Sequence, residues 1–322
     1  MSRASRARAV ASAAAVGGAG LVGVGGALYG LLLGQTQLAR RRIGLPTEEP
    51  LHADGRYGAS YSGDPVSLAV LGDSGAAGFG VERPDQTTGA ACAAALSTSL
   101  QRPVDLVSLA VVGAQSGELS SQIDQLTQPW PDLAAIIVGA NDVTNRVPPG
   151  RSVALLTDAI TALQERGVQV VVGTCPDLGT VRPIPHPLRW VARRWSRSLA
   201  AAQMVASVEA GARAVALADL LGPEFAEHPE RMFGPDQFHP SAEGYRAVAD
   251  ALVPSLVDAL NRTPSRAAGD ATSLEVARAA AEAAEVGGAE VSADTGSRLK
   301  ALLRLRRTPA EQLDDPAAAD PD

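Results

Sequence analysis

Between residues 66 and 218, short apolar runs rich in β-branched residues alternate with longer stretches whose apolar positions recur at helical spacing. The short runs are 66–71, 104–110, 133–138, 168–173 and 212–218. Each is largely apolar, broken at most by one or two polar residues such as Asp105, Gln169 or Arg213, the pattern of a strand buried on both faces. Helices are expected near 87–100, 117–126, 151–166 and 188–210, with a last one from Ser241, its N-cap, to about Leu260. This alternation predicts one three-layer α/β domain, a five-stranded parallel sheet with helices on both faces. No internal repeat is visible. In open sheets of this kind ligands bind beyond the carboxyl ends of the strands, so the loops that follow the strands carry the chemistry.

The pattern breaks at both ends of the chain. Residues 9–34 contain no charge and are mostly Ala, Val, Gly and Leu; Arg3, Arg6 and Arg8 precede them and Arg40, Arg41 and Arg42 follow. About 20 such residues span a bilayer, and the run exceeds the roughly 7–15 apolar residues of a cleaved signal. Residues 1–45 are therefore expected to be a single-pass transmembrane anchor in preference to a cleaved signal for secretion. Its N-terminus is placed inside and the large domain on the extracytoplasmic side. Residues 46–65 are turn formers of mixed charge and read as a tether, which leaves 66–261 as the domain. The segment 262–322 is rich in Ala, Glu and Asp and is expected to be largely disordered. Within it Thr272 to Glu275 reads as a capping box, and the basic stretch 298–307 is the candidate for a short helix.

Composition removes several function classes. Hydrophobic residues make up 46% of the chain but aromatics only 3%, so Ala, Val and Leu must fill the core. A net charge of −7 argues against nucleic-acid binding. Two cysteines, Cys92 and Cys175, supply neither a disulfide framework nor a metal-ligand set. No His-Glu-x-x-His pattern or carboxylate cluster suggests a metal, and no cofactor is expected.

Asp236 and His239 stand three residues apart, and of the four histidines only His239 has an aspartate so close upstream. His52, His186 and His228 lie beside prolines or in polar loops and are expected at the surface. An acid–base pair calls for a nucleophile. Ser74 follows the first apolar run, Gly113 the second and Asn141 the third, while Asp236 and His239 precede the last helix, so all reach one rim of the sheet. Asp73 and Asp142 read as supports for their loops. The small residues from Gly75 to Gly78 suggest an open, low-profile site.

The blocks Gly72-Asp-Ser74, Gly113, Gly139-Ala-Asn-Asp142 and Asp236-Gln-Phe-His239 resemble, in order, those of the SGNH (GDSL-type) hydrolase family. The likeness covers about 66–261 and departs from the GDSL signature at Gly75, where leucine is usual. It implies a flavodoxin-like fold and a serine esterase with Ser74 as nucleophile, His239 as general base and acid, and Asp236 orienting the imidazole. The backbone N–H groups of Ser74 and Gly113 and the side chain of Asn141 would form the oxyanion hole. Glycine at 113 is expected because a side chain there would crowd the reacting carbon. The substrate would be an acyl ester of a small molecule, lipid or glycan. A cell-envelope carbohydrate deacetylase, a lipase and a thioesterase are the alternatives on the same machinery. From another class, a non-catalytic envelope-binding module would keep the fold but has no need of all five site residues. Oligomeric state is not legible in the sequence. Finally, residues 186–197 hold Trp190 and Trp195 among four arginines, and border the pocket, meet lipid headgroups, or pack on the sheet.

Overall fold

The computed structural model describes residues 30–39, 41–44, 49–261 and 290–292. Five parallel strands form its centre: β2 (Val66–Gly72), β3 (Val104–Ser108), β4 (Leu133–Ile137), β5 (Gln169–Gly173) and β6 (Arg213–Val215). These are the five expected runs. Two short antiparallel strands, β1 (Gly55–Tyr57) and β7 (Glu290–Ser292), close the edges, so the sheet has seven strands, in the order β1-β3-β2-β4-β5-β6-β7. Three residues are too few for a period to register, which is why neither edge strand is legible in the sequence. β1 lies in the stretch expected as a tether, and its register sets Arg56 opposite Asp105 in an exposed ion pair at 2.7 Å.

Side-chain parity divides the core. Leu68 and Val70 point to one face, where they pack with α2 (Thr88–Leu100) and α9 (Ala242–Leu260); Ala69 and Leu71 point to the other, against α3 (Leu119–Ile123) and α5 (Pro149–Gln164). This is the two-residue alternation of a strand covered on both sides. α6 (Leu188–Glu209) packs beside α5. Ser241 caps α9, its Oγ accepting the N–H of Gly244 at 3.1 Å.

Four helices were not anticipated: α1 (Ser74–Ala77), α4 (Ala140–Thr144), α7 (Leu217–Glu227) and α8 (Pro229–Met232). The run 212–218, expected as one strand, is divided. Only Arg213–Val215 pairs with β5, and the chain turns at Ala216 (φ −76°, ψ 76°) into α7. An apolar strand and the buried first turn of a helix look alike over seven residues.

Most of the expected anchor, residues 1–29, lies outside the described residues, as do 262–289 with the capping box and 293–322 with the basic stretch. Residues 30–39 and 41–43 are helical. Among the described residues no helix is long and apolar enough to cross a membrane. Within the parallel part of the sheet, β3 lies on one side of β2 and β4, β5 and β6 on the other. The order therefore reverses between β2 and β4, the place where such sheets open a crevice for ligands.

Candidate active site

Ser74 stands at that reversal, at the end of β2. Gly72 makes the approach possible: its φ is 133°, and a Cβ there would lie 1.8 Å from the carbonyl oxygen of Ile137 on β4. Gln122, fully buried on α3, accepts the N–H of Gly72 and donates to its carbonyl, both at 2.8 Å. Asp73 then caps α1, its Oδ1 taking the N–H of Gly75 at 2.9 Å. Ser74 opens the helix, so its own N–H is among the first four that have no intrahelical acceptor. Burial pushes the Asp73 carboxyl up to about 6, opposed by the Gly75 N–H and by attraction to His239.

The tight loop before α9 brings Asp236 and His239 to the same place. Its ends pair as an isolated bridge between Phe233 and Pro240, and the N–H of Gly234 donates to the His239 carbonyl at 2.8 Å. Asp236 Oδ1 accepts the N–H groups of Phe238 (2.9 Å) and His239 (3.0 Å), which turns Oδ2 toward His239 Nδ1 at 2.6 Å. Half-burial pushes this carboxyl up, but the bond to His239 and the two N–H groups outweigh it, so Asp236 stays below the usual carboxylate range. A carboxylate only accepts, so Nδ1 carries the proton and a neutral His239 presents Nε2 as acceptor. Nε2 lies 3.0 Å from Ser74 Oγ. The rings of Phe79 and Phe238 meet the imidazole edge-on at 4.8 and 4.9 Å. Tyr245, buried on α9, fixes Phe79 by donating to its carbonyl at 2.7 Å. Of these supports, Tyr245 has the clearest sequence signal: it lies one turn after the cap that follows His239.

The loops after β3 and β4 are tied to each other. Asn141 Nδ2 donates to the Ala114 carbonyl at 3.1 Å, and buried Asp142 accepts the N–H of Ser116 at 3.1 Å, while the hydroxyls of Ser116 and Ser152 pair at 2.9 Å. Burial raises the Asp142 carboxyl against the hydrogen bonds from Ser152 and Ser116. Gly139 (φ 135°) precedes Asn141, and a Cβ there would stand 2.8 Å from Cys175 Cβ. Gly113 (φ 85°) differs, because an added Cβ meets no protein atom within 4 Å. The protein leaves room for a side chain at 113, and its left-handed backbone is what asks for glycine. Nor do Gly75 to Gly78 make an open site. Ala76 and Ala77 are buried, and a Cβ on Gly78 would lie 2.5 Å from Thr87 Cα, so these small residues serve close packing of α1.

Beside Ser74 and His239 lies a cavity of about 100 Å³ with largely apolar walls, among them Leu178, Val181, Leu217, Leu221, Phe225 and Phe238. In the sequence none of these residues differs from ordinary core. Among the described residues no group of three or more His, Cys, Asp or Glu is placed to hold a metal. Cys92 and Cys175 are both buried and unpaired.

Residues 70–247 match the GDSL-like Lipase/Acylhydrolase family. The chain is 38% identical over 279 residues to the GDSL-like esterase Rv1075c of Mycobacterium tuberculosis, which covers 80% of this chain and 88% of that protein. Among solved structures, the psychrotrophic esterase EstA of Pseudoalteromonas superposes with a TM-score of 0.48 at 19% identity, over 61% of this chain and 99% of that one. An acetyl xylan esterase from Geobacillus stearothermophilus superposes with a TM-score of 0.45 at 16% identity, over 64% and 99% respectively.

Proposed function

Because the chain belongs to the GDSL-like lipase/acylhydrolase family, we propose that it is a carboxylic ester hydrolase with Ser74, His239 and Asp236 as its triad. The observation that carries this reading is the continuous hydrogen-bonded chain from Asp236 through His239 to Ser74. His239 takes the Ser74 proton as Oγ attacks the acyl carbonyl, then returns it to the leaving alcohol; Asp236 holds the tautomer and stabilises the imidazolium. The oxyanion falls to the N–H groups of Ser74 and Gly113 and to the Asn141 amide, which has a second N–H besides the one given to Ala114. Donors of this kind each lower the barrier by about 3–4 kcal/mol.

The apolar cavity is the acyl site in this reading. At about 100 Å³ it is smaller than the roughly 150 Å³ apolar cavity that takes up benzene, so it suits an acyl chain of about four carbons. That favours a short-chain esterase over a lipase for long chains. Labelling by a fluorophosphonate tests the nucleophile: wild type should label and Ser74→Ala should not. An unlabelled wild type, or equal labelling of the two, removes the reading. Across a p-nitrophenyl ester series kcat/KM should peak at short acyl chains. We also assign the domain to the extracytoplasmic side of the membrane, on the apolar run 9–34; protection from added protease in intact cells would exclude this.

A further inference from the structure

One surface takes no part in this chemistry. α6 opens with Leu188, Arg189 and Trp190, and Trp190 and Trp195 stand 62% and 46% exposed. Scattered exposed apolar side chains are normal, but here they are gathered. Of the seven large exposed hydrophobic residues among those described, two are these tryptophans and three more, Leu31, Leu33 and Leu38, lie on the N-terminal helical segment. That segment docks against the start of α6. The Gln35 side chain donates to the His186 carbonyl (2.6 Å) and accepts the N–H of Leu188 (3.0 Å), and Arg42 reaches the Pro183 carbonyl (3.5 Å).

The charge around the tryptophans is one-sided. α6 carries Arg189, Arg193, Arg194 and Arg197 and no acidic residue before Glu209. Asp177 meets Arg193 (3.5 Å) and Arg197 (3.3 Å), and Asp219 meets Arg197 (2.5 Å). Arg189 turns onto the His186 ring and Arg194 is exposed. Two carboxylates thus face four guanidinium groups, with Arg41 and Arg42 nearby on the docked segment. Indoles favour the boundary between water and hydrocarbon, and arginines beside them favour phosphate headgroups. The apolar run 9–34 ends inside the docked segment, so it joins the domain at the start of α6.

We propose that the first half of α6, with the helical segment from residue 30 to 43, is a docking surface for a bilayer bearing anionic headgroups, with Trp190 and Trp195 seated at the interface. The inference does not rest on the reaction assigned to Ser74. It does place the ester-binding cavity close to the lipid. The cavity wall at Leu178 hangs directly from α6, its N–H donating to Ser196 Oγ at 3.1 Å, with Asp177 pinned by Arg193 and Arg197.

The chain holds three tryptophans, which makes the test direct. Trp130 precedes β4, at the opposite ends of the strands, and is partly buried with Arg166 stacked over its ring. Emission of the full chain is read with vesicles of brominated phosphatidylcholine, with and without phosphatidylglycerol. Quenching and a blue shift are expected with the anionic vesicles, a weaker effect with phosphatidylcholine alone, and further weakening in salt or in Arg189→Gln/Arg194→Gln. Trp190→Phe/Trp195→Phe, which leaves only Trp130, should lose the quenching and keep its ester turnover. Wild-type emission unchanged by anionic vesicles, the result if the acidic residues of 309–322 or a second copy cover the helix, overturns the proposal. Equal quenching in the double variant, or equal quenching without the anionic lipid, overturns it as well.

Discussion

Replacing Asp73 with Asn removes a charge from the interior while keeping the oxygen that caps α1. Asp73 is 3% exposed, and its Oδ1 holds the N–H of Gly75 at 2.9 Å. Burial raises its carboxyl from 3.8 to about 6. The folded protein therefore holds this proton more tightly than the unfolded chain. The stability it contributes is fully present below the unfolded value of 3.8 and is lost as pH rises through about 6. At roughly 1.36 kcal/mol per unit, the loss by neutral pH is about 3 kcal/mol. An amide does not titrate, so the variant escapes it. Whatever the buried NH2 of Asn costs is the same at every pH and shifts the comparison by a constant. The unfolding free energy of Asp73→Asn minus that of wild type should thus grow by about 2.4 kcal/mol from about pH 4 to pH 7, the first part of the loss having already occurred by pH 4. Urea denaturation of both proteins across this range, at constant m-value, measures it. Taking the difference also removes, to first order, Asp142, which is raised, and Asp236, which is lowered. A difference flat across the range refutes the assignment of a buried, reluctant carboxylate at 73. Turnover should move the other way, because a negative charge near His239 favours proton transfer to the imidazole, so kcat falls as stability at neutral pH rises.

Other consequences are separable from this one. Asp236→Asn keeps the loop but permits the wrong imidazole tautomer; kcat should fall by about 10⁴-fold with KM little changed, and a loss of less than tenfold in steady-state kinetics would remove Asp236 from the triad. Gln122→Leu strands both backbone groups of Gly72, which should lower unfolding free energy by about 2–4 kcal/mol, and an unchanged denaturation midpoint would show that the clamp is dispensable. Gly113→Ala and Gly139→Ala both strain a positive φ, but only the second also meets Cys175. The first should cost about 1 kcal/mol and the second at least about 3 kcal/mol, with activity lost at 139 through displacement of Asn141; equal midpoints for the two would defeat the packing argument.

These contrasts also mark what can be read from a chain before it is folded. The parallel strands are legible because burial on both faces leaves a short, largely apolar run, and the same logic puts Ser74, Gly113 and Asn141 on one rim, since each follows such a run. The separation of 165 positions from Ser74 to His239 is then no obstacle, because the loop before the last helix returns to that rim. The clamps are a different matter. Gln122 is defined by Gly72, 50 residues away, and Gln203 by the Val138 carbonyl, 65 residues away; helical spacing marks both only as polar residues facing inward. Glycine at 113 is legible as an exception but not as to its reason, since a left-handed backbone and a crowded approach leave the same letter. The cavity is hidden for a stronger reason. Leu178, Leu217 and Phe225 pack against core neighbours as well as lining the site, so no pattern distinguishes them from core. The volume they leave exists only once the turn after β5, α7 and α9 are set against one another. The size of the cavity is therefore fixed by packing between elements, whereas Ser74, Asp236 and His239 are positioned within loops of a few residues.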